Sequence, residues 1–403
     1  MITPALTKLS DQMVLGKRLD DSYAPTVREN ITVLTLLRMV SNACYRFAPP
    51  FIATIARGFD VDVADIGVAL SVAELSGLLA PLIGRFIDPR SRKASMLIGS
   101  LGVVVGVTVA ATAPNIFLFA VGVFLLGAAK ITFDVTMAAW FNDHVPYEKR
   151  GRVSGLVETS WALGLLVGVS AMGLMVAATN WRWGFMLGGI SVFVVTLVVA
   201  ARIPNEGPPT QHVQVEHGGK FRRGSWRVVT TSFLLMGASQ AVYITFGAWL
   251  EDGFGFTAAA LAAVGFSFGA VELAASTTSA RHTDAWGKEQ SVIIGAIIMV
   301  PTGILLAFSE SNQWIGILLL AIFLMGFEFA IVSLLPLAAH LVPGSTGRGL
   351  GLSVGAGTFG RAAFSVPAAA LYDAHGFTAP TLLGTAAALI ASLLTLGFIR
   401  DKR

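Results

Sequence analysis

Twelve apolar runs, most of them roughly 18 to 25 residues long and separated by short polar breaks, leave a chain like this few folds to adopt. They fall at 31–56, 65–87, 95–113, 116–141, 152–178 and 184–201, then 228–250, 257–280, 290–309, 314–341, 349–372 and 380–398. A run of that length matches the hydrocarbon core of a bilayer when helical. Only 13% of the residues are charged, against about a quarter in soluble domains. The expectation is an all-α polytopic membrane protein with twelve transmembrane helices. A polar segment rich in Gly and Pro, 203–227, divides the runs six and six. The halves are then 31–202 and 228–399, with tails at 1–30 and 400–403.

The cations set the expected orientation. Of the 28 Lys and Arg residues, 22 gather on one side, in the N-terminal tail, the even-numbered loops, the central segment and the C-terminal tail. Arg57 and Arg182 alone fall on the other, and Arg38, Arg46, Lys130 and Arg361 lie within runs. Both termini are therefore expected to be cytoplasmic, in a plasma (inner) membrane. The net charge of +4 follows from topology and calls for no nucleic acid. The first 29 residues are polar and mixed in charge, which argues against a cleaved signal peptide.

The loop after the second run is dense in charge: Gly84-Arg85-Phe86-Ile87-Asp88-Pro89-Arg90-Ser91-Arg92-Lys93. A weaker copy reads Ala280-Arg281-His282-Thr283-Asp284-Ala285-Trp286-Gly287-Lys288, and its Asp lies 196 residues after the first. The same offset relates Gly155-Leu156 to Gly351-Leu352, Gly164 to Gly360 and Leu187-Gly188 to Leu383-Gly384. Two pseudo-symmetric six-helix halves in parallel duplication explain this spacing. Transporters so built hold substrate between the halves near the midplane and work by alternating access.

These residues resemble the major facilitator superfamily over nearly the whole chain. Its loop signature Gly-x-x-x-Asp-x-x-x-Arg-Lys is matched by Gly84, Asp88, Arg92 and Lys93, with Pro89 and Ser91 in the turn. The second copy keeps Asp284, Gly287 and Lys288, and Trp181-Arg182-Trp183 is similar to the family's entry into span 6. The stretch from Arg150-Gly151-Arg152 to Gly168 resembles drug:proton antiporters and sugar-efflux permeases. In span 5, Gly164 and Gly168 match the antiporter signature Gly-x-x-x-Gly-Pro, but Val169 replaces the Pro. That keeps the small-residue spacing for close helix approach and predicts no backbone break. The resemblance implies that spans 3, 6, 9 and 12 face lipid, and their cores carry no charge.

An ionised side chain at the bilayer centre costs about 2.5–3.5 kcal/mol on insertion scales, so it must face protein or water. The interior charges are Arg38, Arg46, Glu74, Lys130, Asp134, Glu158, Glu272, Glu328 and Arg361. Lys130 and Asp134, four apart on one face, can pair directly. Arg38 and Glu158 are expected near the cytoplasmic end as structural partners. Glu74 and Glu272 either join the halves or line the pathway. Glu328 is the candidate proton carrier, because burial makes the protonation of a carboxyl group responsive to its surroundings. Arg46 and Arg361 can bind an anionic or polar substrate, and Tyr45 and Trp161 are candidate cavity aromatics.

Asp88 with Arg92, and with Glu158 or Arg152, forms an expected state-dependent latch at the cytoplasmic gate, with Asp284 and Lys288 as its weaker repeat. Proton-coupled efflux of small drug-like or sugar-like molecules is the leading functional expectation. Import of an anionic metabolite through Arg46, Lys130 and Arg361 is the alternative, and a non-transporting receptor or assembly factor the third. No Gly-x-Ser-x-Gly, metal-spaced His or Cys pair, or phosphate loop is present, so neither an enzyme nor ATP drive is expected. No cofactor is implied. The expected partners are a small-molecule substrate, protons and the lipid bilayer, and the chain is expected to act as a monomer.

Overall fold

A computed structural model of the chain describes residues 14–79, 82–83, 90–146, 149–206, 221–309, 311–342 and 346–401. Helices account for the regular structure among them. The described helices make twelve spans that cross back and forth, so the described residues that follow the even-numbered spans share one side with those that precede span 1. That side, rich in Lys and Arg, is the basic end, and the other is the opposite end. Nine stretches among the described residues are long and apolar enough to cross a membrane. The remaining three spans, the first, second and eleventh, contribute Arg46, Glu74 and Arg361 to the centre of the molecule.

Span 1 starts earlier than its apolar run. Pro25 opens the helix Pro25–Arg46 at its first positions, where a fixed φ and a missing N–H cost nothing. Val27, Ile31 and Leu34 are then fully buried. The residues before it also pack, with Leu19 and Tyr23 buried and the Leu15 N–H donating to Thr32 Oγ1 at 3.2 Å. Span 1 continues as a 3-10 turn, Pro49–Phe51, and the helix Ile52–Phe59. Two consecutive prolines remove two backbone donors, which accounts for the break.

Span 5 corrects the expectation of an unbroken helix. Between Arg150–Leu163 and Ser170–Ala178 lies a π-helical turn, Gly164–Val169. A proline is therefore not needed to interrupt the backbone here. A Cβ on Gly168 would overlap the Ala43 methyl of span 1, and one on Gly164 would stand 2.9 Å from the Asn42 Cβ. The widened turn thus lies flat on span 1, and its other side meets span 8 at Gly269.

Spans 3, 6, 9 and 12 turn apolar side chains outward, as Val105, Phe193, Ile297 and Leu393 show. The halves meet along spans 2 and 11, along spans 5 and 8, and at the outer ends of spans 1 and 7. At the basic end the facing Gly155 of span 5 and Gly351 and Gly355 of span 11 have no heavy atom within 4 Å of a built Cβ. Among the described residues, the ends of spans 1 and 7 pack together at the opposite end.

Candidate functional site

Four of the nine interior charges pair across the halves, on spans 1, 2, 8 and 11. Arg46 of span 1 forms a two-pronged bond with Glu272 of span 8, at 2.7 Å from Nη1 to Oε2 and 2.6 Å from Nη2 to Oε1. Both side chains are almost wholly buried, at 4% and 3% exposure. Arg46 also donates to the Trp161 carbonyl at 3.2 Å and lies 4.6 Å from the centre of that indole. Arg361 of span 11 gives Nε and Nη2 to Glu74 Oε1 of span 2, at 2.9 and 2.7 Å. The second oxygen of Glu74 accepts the Tyr45 hydroxyl at 2.6 Å. Two ion pairs therefore cross between the halves, each in planar geometry that suits a guanidinium to a carboxylate.

A third cluster stays within the first half. Lys130 Nζ reaches Asp134 Oδ2 at 2.5 Å, the spacing of four anticipated along span 4. Asp134 also faces Arg38 at 3.4 Å, and Arg38 reaches Glu158 at 3.0 Å. Lys130 stands 5.4 Å from the Tyr45 ring and 5.9 Å from that of Trp161, so these aromatics link the clusters. Glu158 is 57% exposed toward the basic end.

Eight of the nine interior charges are thus paired. Glu328 of span 10 is buried, and it makes no ion pair or hydrogen bond with any described residue. Toward the opposite end, a small enclosed cavity is bounded by Tyr45, Arg46, Glu74, Gln240, Tyr243 and Arg361. Gln240 Nε2 donates to Ser365 Oγ at 2.9 Å, and the buried Tyr243 hydroxyl has no partner among the described residues.

The expected latch at the basic end centres on residues whose contacts the structure does not describe. Gly84, Asp88 and the Asp284 side chain lie outside the described residues. Arg92 donates to Asp143 Oδ2 at 2.8 Å, joining the start of span 3 to the end of span 4. Arg152 donates to the Arg18 carbonyl at 3.0 and 2.5 Å, held by the 3-10 turn Gly16–Arg18. Glu158 instead takes Arg38. These three residues have separate partners, all in the first half. Lys93 follows Arg92 in the first turn of span 3, and Lys288 begins the helix Lys288–Ala307 of span 9.

Contacts between the halves lie at the opposite end. Arg57 binds Glu251 and reaches Asp252 at 2.8 Å. Thr54 donates to Glu251 at 2.6 Å, and the Ala64 N–H at the start of span 2 donates to Asp373 at 2.6 Å. That last contact places a carboxylate at a helix N-terminus across the two halves. Replacing Arg57 with Ala should raise labelling of a cysteine introduced at Gln240 by an impermeant thiol reagent from the opposite side. Labelling unchanged from the Arg57 parent would remove Arg57 from any role in closing that end.

The Major Facilitator Superfamily family model matches residues 34–364. An uncharacterised MFS-type transporter of Bacillus subtilis, YwfA, is 28% identical over 262 residues, covering 61% of each chain. The match thus spans about three fifths of that relative. A multi-drug resistance efflux pump PmrA homolog of Lactococcus lactis is 24% identical over 292 residues, 69% of this chain and 71% of that one. In fold, the chain superposes on a crystal structure of a bacterial homolog of the human lysosomal transporter Spinster in an inward-facing, unoccupied conformation. That match has a TM-score of 0.78 and 12% identity, covering 94% of this chain and 98% of the other. The apolar spans, the paired halves and the family match agree, and the chain belongs to the major facilitator superfamily of membrane transporters.

Proposed function

We propose that the chain exports small amphipathic organic molecules, those bearing a positive charge preferred, in exchange for protons. The observation that carries this reading is Glu328. Four interior cations, Arg38, Arg46, Lys130 and Arg361, are each held by a carboxylate, and Glu328 is the fifth interior acid beyond Glu74, Asp134, Glu158 and Glu272. Its charge is costly to keep in apolar surroundings, so its protonation depends on which side opens water onto it. A cationic substrate and a proton then compete for one negative charge, which couples their movements through differential affinity for the two states. The same pairing leaves the anion reading without an unoccupied cation, since Arg46, Lys130 and Arg361 already hold carboxylates. A relative named as a multi-drug efflux pump supports the export direction.

In this reading the protein works as a monomer in the inner membrane, with the basic end in the cytoplasm as the Lys and Arg asymmetry favours. Purified protein in liposomes, given an imposed pH gradient, should move a fluorescent lipophilic cation, and a protonophore should abolish that movement. Transport indifferent to both the gradient and the protonophore would overturn the coupling.

A further inference from the structure

Three buried hydroxyls at the interface of spans 8 and 10 form a closed triangle. Ser279 Oγ lies 3.0 Å from Thr283 Oγ1 and 2.9 Å from Ser333 Oγ, and the last two are 3.0 Å apart. Each hydroxyl has one proton to donate and lone pairs to accept with, so the ring is satisfied in either direction of donation. This departs from the habit of helical Ser and Thr elsewhere in the chain. Thr277 and Thr278, beside Ser279, donate to the carbonyls of Leu273 and Ala274 one turn back. Thr196, Thr302 and Ser392 do the same in other spans. The three triangle hydroxyls bond one another in place of that local partner.

Their position relative to the proposed carrier is ordered. On span 8, Glu272, Ser276, Ser279 and Thr283 are spaced by four, three and four residues, which lines them along one helix face. They run from the ion pair with Arg46 to one turn short of Trp286, the last residue of the helix at the basic end. Ser276 stands between, with its hydroxyl 2.8 Å from the Glu272 carbonyl. On span 10, Ser333 lies five residues beyond Glu328 toward the same end, about 7.5 Å by helical rise and about 140° around the helix. Exposure is graded, with Thr283 at 7% and Ser279 and Ser333 at 1% and 0%. The member nearest the basic end is therefore the least buried of the three.

We propose that Thr283, Ser279 and Ser333 form a hydroxyl relay that carries protons between the basic end and Glu328. In each passage a hydroxyl oxygen accepts a proton from one neighbour and releases its own to the next, leaving every residue neutral and no net charge deposited. A water between Ser333 and Glu328 would complete the route, and Glu328 gives up or takes the proton. The inference rests on the proton-coupled reading above and adds the route to it.

The test uses the full chain in liposomes, with the fluorescent lipophilic cation as probe. Thr283→Val keeps the shape of the side chain and removes its hydroxyl, whereas Thr283→Ser keeps the hydroxyl. Transport driven by a pH gradient should fall at least about tenfold in Thr283→Val and in the Ser279→Ala, Ser333→Ala double variant. Thr283→Ser should retain it. Counterflow of the probe at equal pH on both sides, which moves no net protons, should be unchanged in all of them. Gradient-driven transport left intact in Thr283→Val would overturn the relay while leaving the coupling in place. A parallel fall of counterflow and gradient-driven transport would also overturn it, by showing that the triangle holds the helices together and nothing more. A wild-type protein with no response to the gradient would overturn both proposals.

Discussion

Glu328→Gln should reduce pH-gradient-driven transport to background, a loss of about a hundredfold or more, the scale on which a proton-transferring group contributes. The change is nearly isosteric and replaces a buried acid that has no partner among the described residues. No ion pair is broken by it, and the desolvation cost of a lone charge is removed. The thermal midpoint of the purified variant should therefore equal or exceed that of the wild type. Counterflow of a lipophilic cation should weaken in proportion to lost affinity, since the amide offers no charge to it. Glu328→Asp, which keeps the charge on a shorter stem, should restore partial gradient-driven transport. Coupling that survives in Glu328→Gln would assign the proton to another carboxylate, with Glu74 and Glu272 next in line because both reach across the halves.

The helical architecture was readable from one property, the length of the apolar runs, because a membrane constrains that length directly. Local pairs were readable too: Lys130 and Asp134 sit four apart on one helix, and helix geometry alone brings them together. Arg46 and Glu272 are separated by 226 residues, and Arg361 and Glu74 by 287. No local pattern encodes such partners, only the packing of span 1 on span 8 and span 11 on span 2. The start of span 1 was hidden for a different reason. Arg28, Glu29 and Asn30 are too polar for an apolar window, yet Pro25 begins the helix and Val27 and Ile31 bury beneath them. The π-helical turn at Gly164–Val169 was missed because the sequence signal sought was a proline, whereas the packing of Gly164 and Gly168 on Asn42 and Ala43 accompanies the same break. The Ser279, Thr283 and Ser333 triangle carried no signal at all, since hydroxyls in apolar helices ordinarily bond their own backbone.

The largest stability effect expected is at Arg46 and Glu272. Glu272→Ala leaves a guanidinium 4% exposed facing a void where two charge-assisted bonds had been. Breaking a buried pair from one side costs about 3–5 kcal/mol, because the remaining charge has been taken out of water and has nothing to repay it. The Trp161 ring and carbonyl stay in place, but a cation over an aromatic face returns only about 0.5–2 kcal/mol. The thermal midpoint of Glu272→Ala should fall by several degrees. The paired replacement Arg46→Met with Glu272→Leu should recover most of that fall, since apolar side chains of similar volume often replace a buried ion pair without loss. The pair also fastens span 1 of one half to span 8 of the other, so the double variant should be stable yet poor in transport. A Glu272→Ala protein as stable as the wild type would mean that Arg46 finds water or a second acid nearby, and among the described residues the unpaired interior acid in its field is Glu328. In that event Glu328→Gln added to Glu272→Ala should lower the midpoint again, which separates rescue by Glu328 from rescue by water.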